Sequence, residues 1–273
     1  MGSLGTSNTF TVGVLALQGA FNEHTQLLRS AAQFHPATQF TFIEVRTAAQ
    51  LASCDALIIP GGESTTISLI AERCNLLEPL RDFVKVQRKP TWGTCAGLIL
   101  LAESANRTKA GGQELIGGLD VRVNRNHFGR QTESFQADLD LKFLGAEGGK
   151  ADPFRAIFIR APIVETLLKA SDGAQEGEAQ KPETVIAPSK DVAEGIDPSI
   201  KQQPVEILGT VQGRTAAVKR EDGATDNEAG DIVAVRQGNV FGTSFHPELT
   251  GDARIHAWWL GEAVRTLEGR KSS

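Results

Sequence analysis

The 273-residue sequence predicts a single α/β domain: a mostly parallel central sheet with helices on both faces. Three observations carry this. Apolar runs alternate with helical patterns through the first 105 residues, and that spacing requires parallel crossover connections. The runs are continuously apolar, as strands covered on both faces are. The second half adds shorter strands but no internal repeat, so the later strands are expected to extend or flank the first sheet rather than build a second domain.

The elements follow in order. Residues 11–17 (TVGVLAL) read as a buried strand, and Asn22 as the cap of an amphipathic helix running to about residue 34. Residues 40–45 form a second strand and 55–60 (DALIIP) a third. Helical periodicity spans 64–88, broken near Pro79. Residues 90–93 are a short fourth strand, and 95–103 begin another helix. Partly alternating strands follow at 121–124, 133–139, 154–160, 205–211, 216–219, 232–236 and 240–245. A closing helix over 252–267 carries Ile255, Trp258, Trp259, Leu260 and Val264 on its apolar side. The domain is thus expected over 11–267, between a flexible leader (1–10) and a tail (268–273).

Composition excludes several function classes. Net charge is −5, so no global basic field is present to hold nucleic acid. The longest apolar run, 95–102, is far short of the roughly 18 residues of a membrane span. Cysteines at 54, 74 and 95 form no C-x-x-C pair, which argues against a disulfide framework or a zinc site. A reducing, cytoplasmic setting is expected, with no metal, no nucleic acid and no membrane partner. Two segments are acidic: 171–204 holds seven acids against three lysines, and 219–231 five acids against two bases. Both read as disordered surface insertions without catalytic duty.

The candidate chemistry begins at Gly93-Thr94-Cys95-Ala96-Gly97, between a strand and a helix. This is the layout of a nucleophile elbow with cysteine at its centre. A tight turn pushes the central side chain out of the sheet, and the helix N-terminus favours a thiolate. Alone, the five residues fit a buried structural cysteine equally well, and Cys54 and Cys74 read as structural. His246 lies 151 residues downstream at the end of a strand. Glu248, two residues on, is placed to accept the imidazole N–H and hold one tautomer, leaving the other nitrogen for sulfur. The turn Pro60-Gly61-Gly62-Glu63-Ser64-Thr65 joins a strand to a helix that Ser64 would cap. It lacks the lysine of a phosphate loop, so, paired with the elbow, its best use is to supply one donor of an oxyanion hole, with Ala96 N–H as the other. Arg125 and Arg160 could each clamp a carboxylate through a planar fork.

Taken together, residues 14–20 (VLALQGA), 60–65 (PGGEST), 93–97 (GTCAG), 124–131 (NRNHFGRQ), 159–162 (IRAP) and 244–250 (SFHPELT) closely resemble the class I glutamine amidotransferase superfamily. Within it they resemble the glutaminase subunits of pyridoxal 5′-phosphate synthase, the Pdx2/PdxT/SNO family. The resemblance covers nearly the whole chain apart from the leader and the acidic insertions, and implies a flavodoxin-like fold. It implies Cys95 as nucleophile, His246 as base and Glu248 as its orienting acid. It also implies glutamine contacts at Gly62, Glu63, Ser64, Arg125, Ile159 and Arg160. No cofactor is implied. The implied reaction is glutamine hydrolysis through a glutamyl thioester, with ammonia delivered to a barrel-shaped synthase subunit (Pdx1/PdxS/SNZ type) for vitamin B6 biosynthesis. The implied activity is low until that subunit docks, with docking expected near residues 18–24 and around the active-site mouth. A glutaminase of another amidotransferase, or a cysteine hydrolase or peptidase of the same fold, stands as the alternative.

Overall fold

In the computed structural model, β1 (Thr9–Leu15) runs through the parallel part of a sheet, and the helix α1 (Phe21–Ala31) carries the chain back to β2 (Gln39–Val45). The structure describes residues 9–106, 113–125, 134–145, 152–169, 175–181, 183–211, 218–219, 225–226 and 230–271. A short helix, α2 (Ala48–Ala52), follows β2. The Thr47 side chain accepts from Gln50 N (3.3 Å), and Gln50 Oε1 accepts from Thr47 N (3.1 Å), a reciprocal cap that starts this helix, while Leu51 anchors it in the core. The chain continues through β3 (Ala56–Ile59), α3 (Ser64–Arg73), α4 (Leu77–Arg81), β4 (Thr91–Thr94), α5 (Ala96–Leu101) and β5 (Ala102–Asn106).

The second half supplies β6 (Leu119–Asn124), β7 (Ser134–Leu139), β8 (Phe154–Ile159) and β9 (Ile163–Leu167). Then come α6 (Glu176–Ala179), β10 (Thr184–Ile186), β11 (Glu206–Val211), β12 (Val218–Lys219) and β13 (Thr225–Asp226). The chain closes with β14 (Asp231–Gln237), β15 (Val240–Thr243) and α7 (Arg254–Lys271). The main sheet runs β10-β5-β6-β9-β14-β15-β4-β3-β1-β2, with β11 also paired to β14. From β2 to β15 its five strands are all parallel. Beyond β15 the pairing is antiparallel until β6 meets β5. The β7–β8 hairpin stands apart and packs against the sheet, with Phe135 and Phe158 stacked at 4.5 Å.

Two cores form on opposite faces because side chains alternate along each strand. Leu15, Leu57 and Ile59 face α3, α4 and α5. Val12, Val14, Ala56, Ile58 and Trp92 face α1, α7 and the hairpin. Among the described residues, no helix is long and apolar enough to cross a membrane.

Several expectations are corrected. Ala20, not Asn22, precedes α1, and no side chain caps it. The helical stretch from 64 breaks at 74–76, where Asn75 adopts φ 53°. Pro79 sits in the first turn of α4, where its missing N–H is harmless. The helix after Cys95 ends at Leu101, and its expected last residues belong to β5. Strands β5, β9, β10 and β13 lie outside the expected set. α7 continues to Lys271, through most of the expected tail. The 171–204 segment is not a disordered insertion where it is described. β10 pairs with β5, buried Glu178 binds Arg122 (2.7 Å), and Lys190 binds Glu78 and Asp82 (both 2.8 Å). Two of its charges, Glu178 and Lys190, are spent on these pairs, which composition does not reveal. Most of 219–231, the leader up to residue 8 and residues 126–131 lie outside the described residues.

Close backbone approach is the steric condition of this fold. A Cβ on Gly97 would overlap the Ile59 carbonyl oxygen, and one on Gly93 would overlap the Gly97 carbonyl group. Gly97→Ala is expected to destabilise by at least about 1–3 kcal/mol in urea unfolding, because only backbone could yield. Gly269→Ala in α7, where a Cβ meets nothing within 4 Å, should be neutral or stabilising by up to about 1 kcal/mol.

Candidate active site

Sheet topology decides where chemistry can collect. β1 and β3 sit side by side while their connections leave in opposite directions, so a crevice opens beyond their carboxyl ends. The turns after β1, β3, β4 and β15 converge there. Gly19 (φ 99°) approaches so closely that a Cβ on it would strike Gly61 O, while Ala20 N donates to the same oxygen (3.2 Å).

Cys95 sits between β4 and α5 with φ 47° and ψ −101°, a backbone conformation costing a non-glycine residue about 1–3 kcal/mol. It is held there by its N–H to Thr243 O (2.7 Å) and by the glycine contacts of α5. Its sulfur, nearly buried, lies 4.0 Å from Ile159 O. His246 follows β15, its N–H anchored on Ile157 O (2.8 Å), and its Nδ1 meets Glu248 Oε1 at 2.7 Å. A side chain on Gly61 would run into the His246 ring and meet Cys95 Cβ at 3.4 Å, so that glycine packs against both residues at once.

Electrostatics follow from this geometry. Burial alone would push the His246 imidazole down, but hydrogen bonds to Cys95 and Glu248 overcome it and push the pKa up to about 10. The Glu248 carboxyl, although buried, is held below the usual range by His24 and His246. An imidazolium shared between a sulfur and a carboxylate is the arrangement of an activated thiol.

The second part of the site lies at the start of α3. Glu63, not Ser64, caps this helix. Its carboxylate accepts from Thr65 N (3.0 Å), Thr66 N (2.7 Å) and Thr66 Oγ1 (2.6 Å), and these bonds lower its pKa against the opposing effect of burial. Ser64, buried in the first turn, donates to Gln113 Oε1 (2.9 Å). Arg125 Nη2 donates to Ser64 Oγ and Thr65 Oγ1 (3.0 Å each), which brings Arg125 onto the same turn as Gly62. Arg160 has φ 46° and is exposed, so its strained backbone lies next to Ile159, whose carbonyl faces the sulfur. Ala96 N–H begins α5, where no carbonyl within the helix can accept it. The structure thus brings Cys95, His246, Glu248, Gly61 and Ile159 together, with Ser64 and Arg125 joined on the neighbouring turn. The Glu63 carboxylate is occupied by the helix it caps.

Several residues escaped sequence reasoning. Gln18 Oε1 accepts from Glu63 N (2.8 Å) and packs on Gly62. Its motif was visible, but its role was not. His24 and His256 lie fully buried behind Glu248, and their rings meet at 2.9 Å across 232 residues of sequence, a distance no local pattern spans. Burial also removes His24 from any docking surface, while its neighbours Asn22 and Glu23 are exposed. Cys54 is buried, with its thiol pushed up to about 11 chiefly by burial, whereas Cys74 is exposed.

Burial pushes the pKa of both His24 and His256 from 6.5 down to about 3, with Glu248 partly offsetting this at His24. The unfolded chain takes up protons at both positions below pH 6.5, and the folded chain only near pH 3. Their contribution to stability is therefore full above 6.5 and drains as pH falls, at up to about 1.4 kcal/mol per pH unit for each ring. His246, raised, acts oppositely: its contribution is full below 6.5 and drains as pH rises from 6.5 toward 10. The urea midpoint is expected to rise from pH 4 to a maximum near 6.5 and to decline above it. A flat profile across that window counts against neutral buried rings.

Comparison with known proteins accords with this geometry. The model of the SNO glutamine amidotransferase family matches residues 14–193 and 207–265. The chain is 41% identical over 264 residues to a probable pyridoxal 5′-phosphate synthase subunit PDX2 of Arabidopsis thaliana, covering 96% of this chain and 89% of that one. It is 41% identical over 263 residues to a pyridoxal 5′-phosphate synthase subunit PdxT of Streptomyces avermitilis, covering 96% and 98%. A solved glutamine amidotransferase superposes with a TM-score of 0.60 at 33% identity, over 92% of this chain and 98% of that one. With the family matched over most of its length and relatives above 40% identity, the chain belongs to the SNO glutamine amidotransferase family.

Proposed function

We propose that this protein is the glutaminase of a pyridoxal 5′-phosphate synthase. It hydrolyses the side-chain amide of L-glutamine and delivers ammonia to a synthase subunit of the Pdx1/PdxS/SNZ type, in the cytoplasm, for vitamin B6 biosynthesis. The observation that supports this most directly is the shared packing of Cys95 and His246 on Gly61, with Glu248 2.7 Å from the imidazole. The names of the PDX2 and PdxT relatives support the partner and the pathway.

The Cys95 thiolate attacks the side-chain carbonyl carbon of glutamine, and the carbonyl electron pair moves onto oxygen. Backbone N–H groups of Gly62 and Ala96 receive that oxyanion. Collapse breaks the C–N bond, and nitrogen leaves as ammonia with the proton of the His246 imidazolium. His246 then takes a proton from water as its oxygen attacks the thioester. The C–S bond breaks, glutamate leaves, and the thiolate–imidazolium pair is restored. Glu248 holds the imidazole in one tautomer throughout. Arg125, aimed by Ser64 and Thr65, binds the α-carboxylate of glutamine, and the Ile159–Arg160 turn borders the sulfur.

Glutamate release from glutamine, measured with and without the synthase subunit, is expected to rise when the subunit is present. Cys95→Ala is expected to release none while still co-purifying with it. Full activity without the partner would falsify the gating. Arg125→Leu is expected to raise KM for glutamine about 10- to 100-fold, with a smaller change in kcat, as loss of a charge-assisted pair requires. An unchanged KM would remove Arg125 from the binding site.

A further inference from the structure

The triad does not end at Glu248. Its Oε1 is taken by His246, and Oε2 has no hydrogen bond of good geometry among the described residues. The polar atom facing Oε2 is His24 Nε2 at 3.4 Å, with both side chains fully buried. The same nitrogen lies 3.1 Å from Thr94 Oγ1, on the residue preceding the nucleophile. On its other side, His24 Nδ1 meets His256 Nε2 at 2.9 Å. The column therefore joins α1, β4, α7 and the turn after β15 beneath the sulfur.

Hydrogen-bond bookkeeping selects one protonation pattern. If His256 Nε2–H donates to His24 Nδ1, then His24 Nε2–H points at Thr94 Oγ1 and Glu248 Oε2. The atom left over is His256 Nδ1, a bare lone pair, and it is the ring atom without a partner. The reverse pattern would bury an N–H donor with no acceptor and would set a lone pair against the Glu248 carboxylate, which is costlier on both counts. Burial keeps both rings neutral, so each carries one proton and the direction of donation is forced. Trp92 packs edge-on against both rings, at 5.7 Å from His24 and 4.8 Å from His256, and holds their planes.

We propose that His24 is a positioning residue for glutamine hydrolysis: its Nε2–H, oriented by His256, holds the second oxygen of Glu248 and so fixes the carboxylate that aligns His246. It touches neither substrate nor sulfur. This rests on the glutaminase reading above and extends it to residues that reading does not use.

Two variants separate positioning from packing. His24→Asn keeps an acceptor for His256 near the Nδ1 position but has no donor that reaches Glu248. His24→Gln places an amide N–H near the Nε2 position and gives up the His256 contact. In the complex with the synthase subunit, His24→Asn is expected to lose roughly 10- to 100-fold in kcat while KM for glutamine stays within about threefold. His24→Gln is expected to remain within about threefold of wild type. A second readout needs no synthase: the pH profile of Cys95 alkylation by iodoacetamide, followed by peptide mass spectrometry to separate it from exposed Cys74. His24→Asn should displace that profile, and His24→Gln should not. Wild-type turnover and an unmoved profile in His24→Asn, or equal losses in both variants, overturn the proposal. Absence of glutamate release by the wild-type complex sinks the glutaminase reading instead, and the alkylation profiles still judge His24.

Discussion

The structure depends on one backbone contact, Gly97 against the carbonyl of Ile59. It lets α5 press onto the ends of β3 and β4, and only then can Cys95 be held in a left-handed conformation that a cysteine would not otherwise adopt. The parallel register of β15 beside β4 fixes the other half, because the Thr243 carbonyl that receives Cys95 N–H belongs to the strand that delivers His246. Nucleophile and base are thus positioned by neighbouring strands of one rigid sheet, not by mobile loops.

Charge is distributed with the same economy. The thiol end of the column carries the ionised groups, and its far end is neutral because burial there has no counter-ion to offset it. Glu63 shows the converse. Its carboxylate is exposed enough to stay charged, and three donors at the start of α3 occupy it, so the turn beside the sulfur is rigid before any ligand arrives. Arg125 then lies over a turn whose shape is already set.

Much of this was legible in the sequence, for reasons that can be named. Continuous apolar runs at 11–17 and 55–60 announce doubly covered strands, and glycines at 93 and 97 around a cysteine announce the elbow. What stayed hidden was long-range or context-dependent. Ala102 and Glu103 continue a helical pattern but belong to a strand because β6 and β10 pair with 102–106. Ser64 reads as a cap, yet Glu63 takes that place one residue earlier. The acids of 171–204 look like solvated surface, but Glu178 is buried against Arg122 and Ser104, partners more than 50 residues away. His24 and His256 have no local signature at all, since each gains its meaning from the other.

That last pair has a bearing on biosynthesis. His24 lies near the beginning of the chain and His256 in its final helix, 232 residues apart. A ribosome delivers these two helices far apart in time, so the column beneath the sulfur can close only after α7 has emerged and docked. A nascent chain can build β1 to β4 early and still lack a finished catalytic centre. Emergence of α7 is therefore written into the geometry as a condition for maturity.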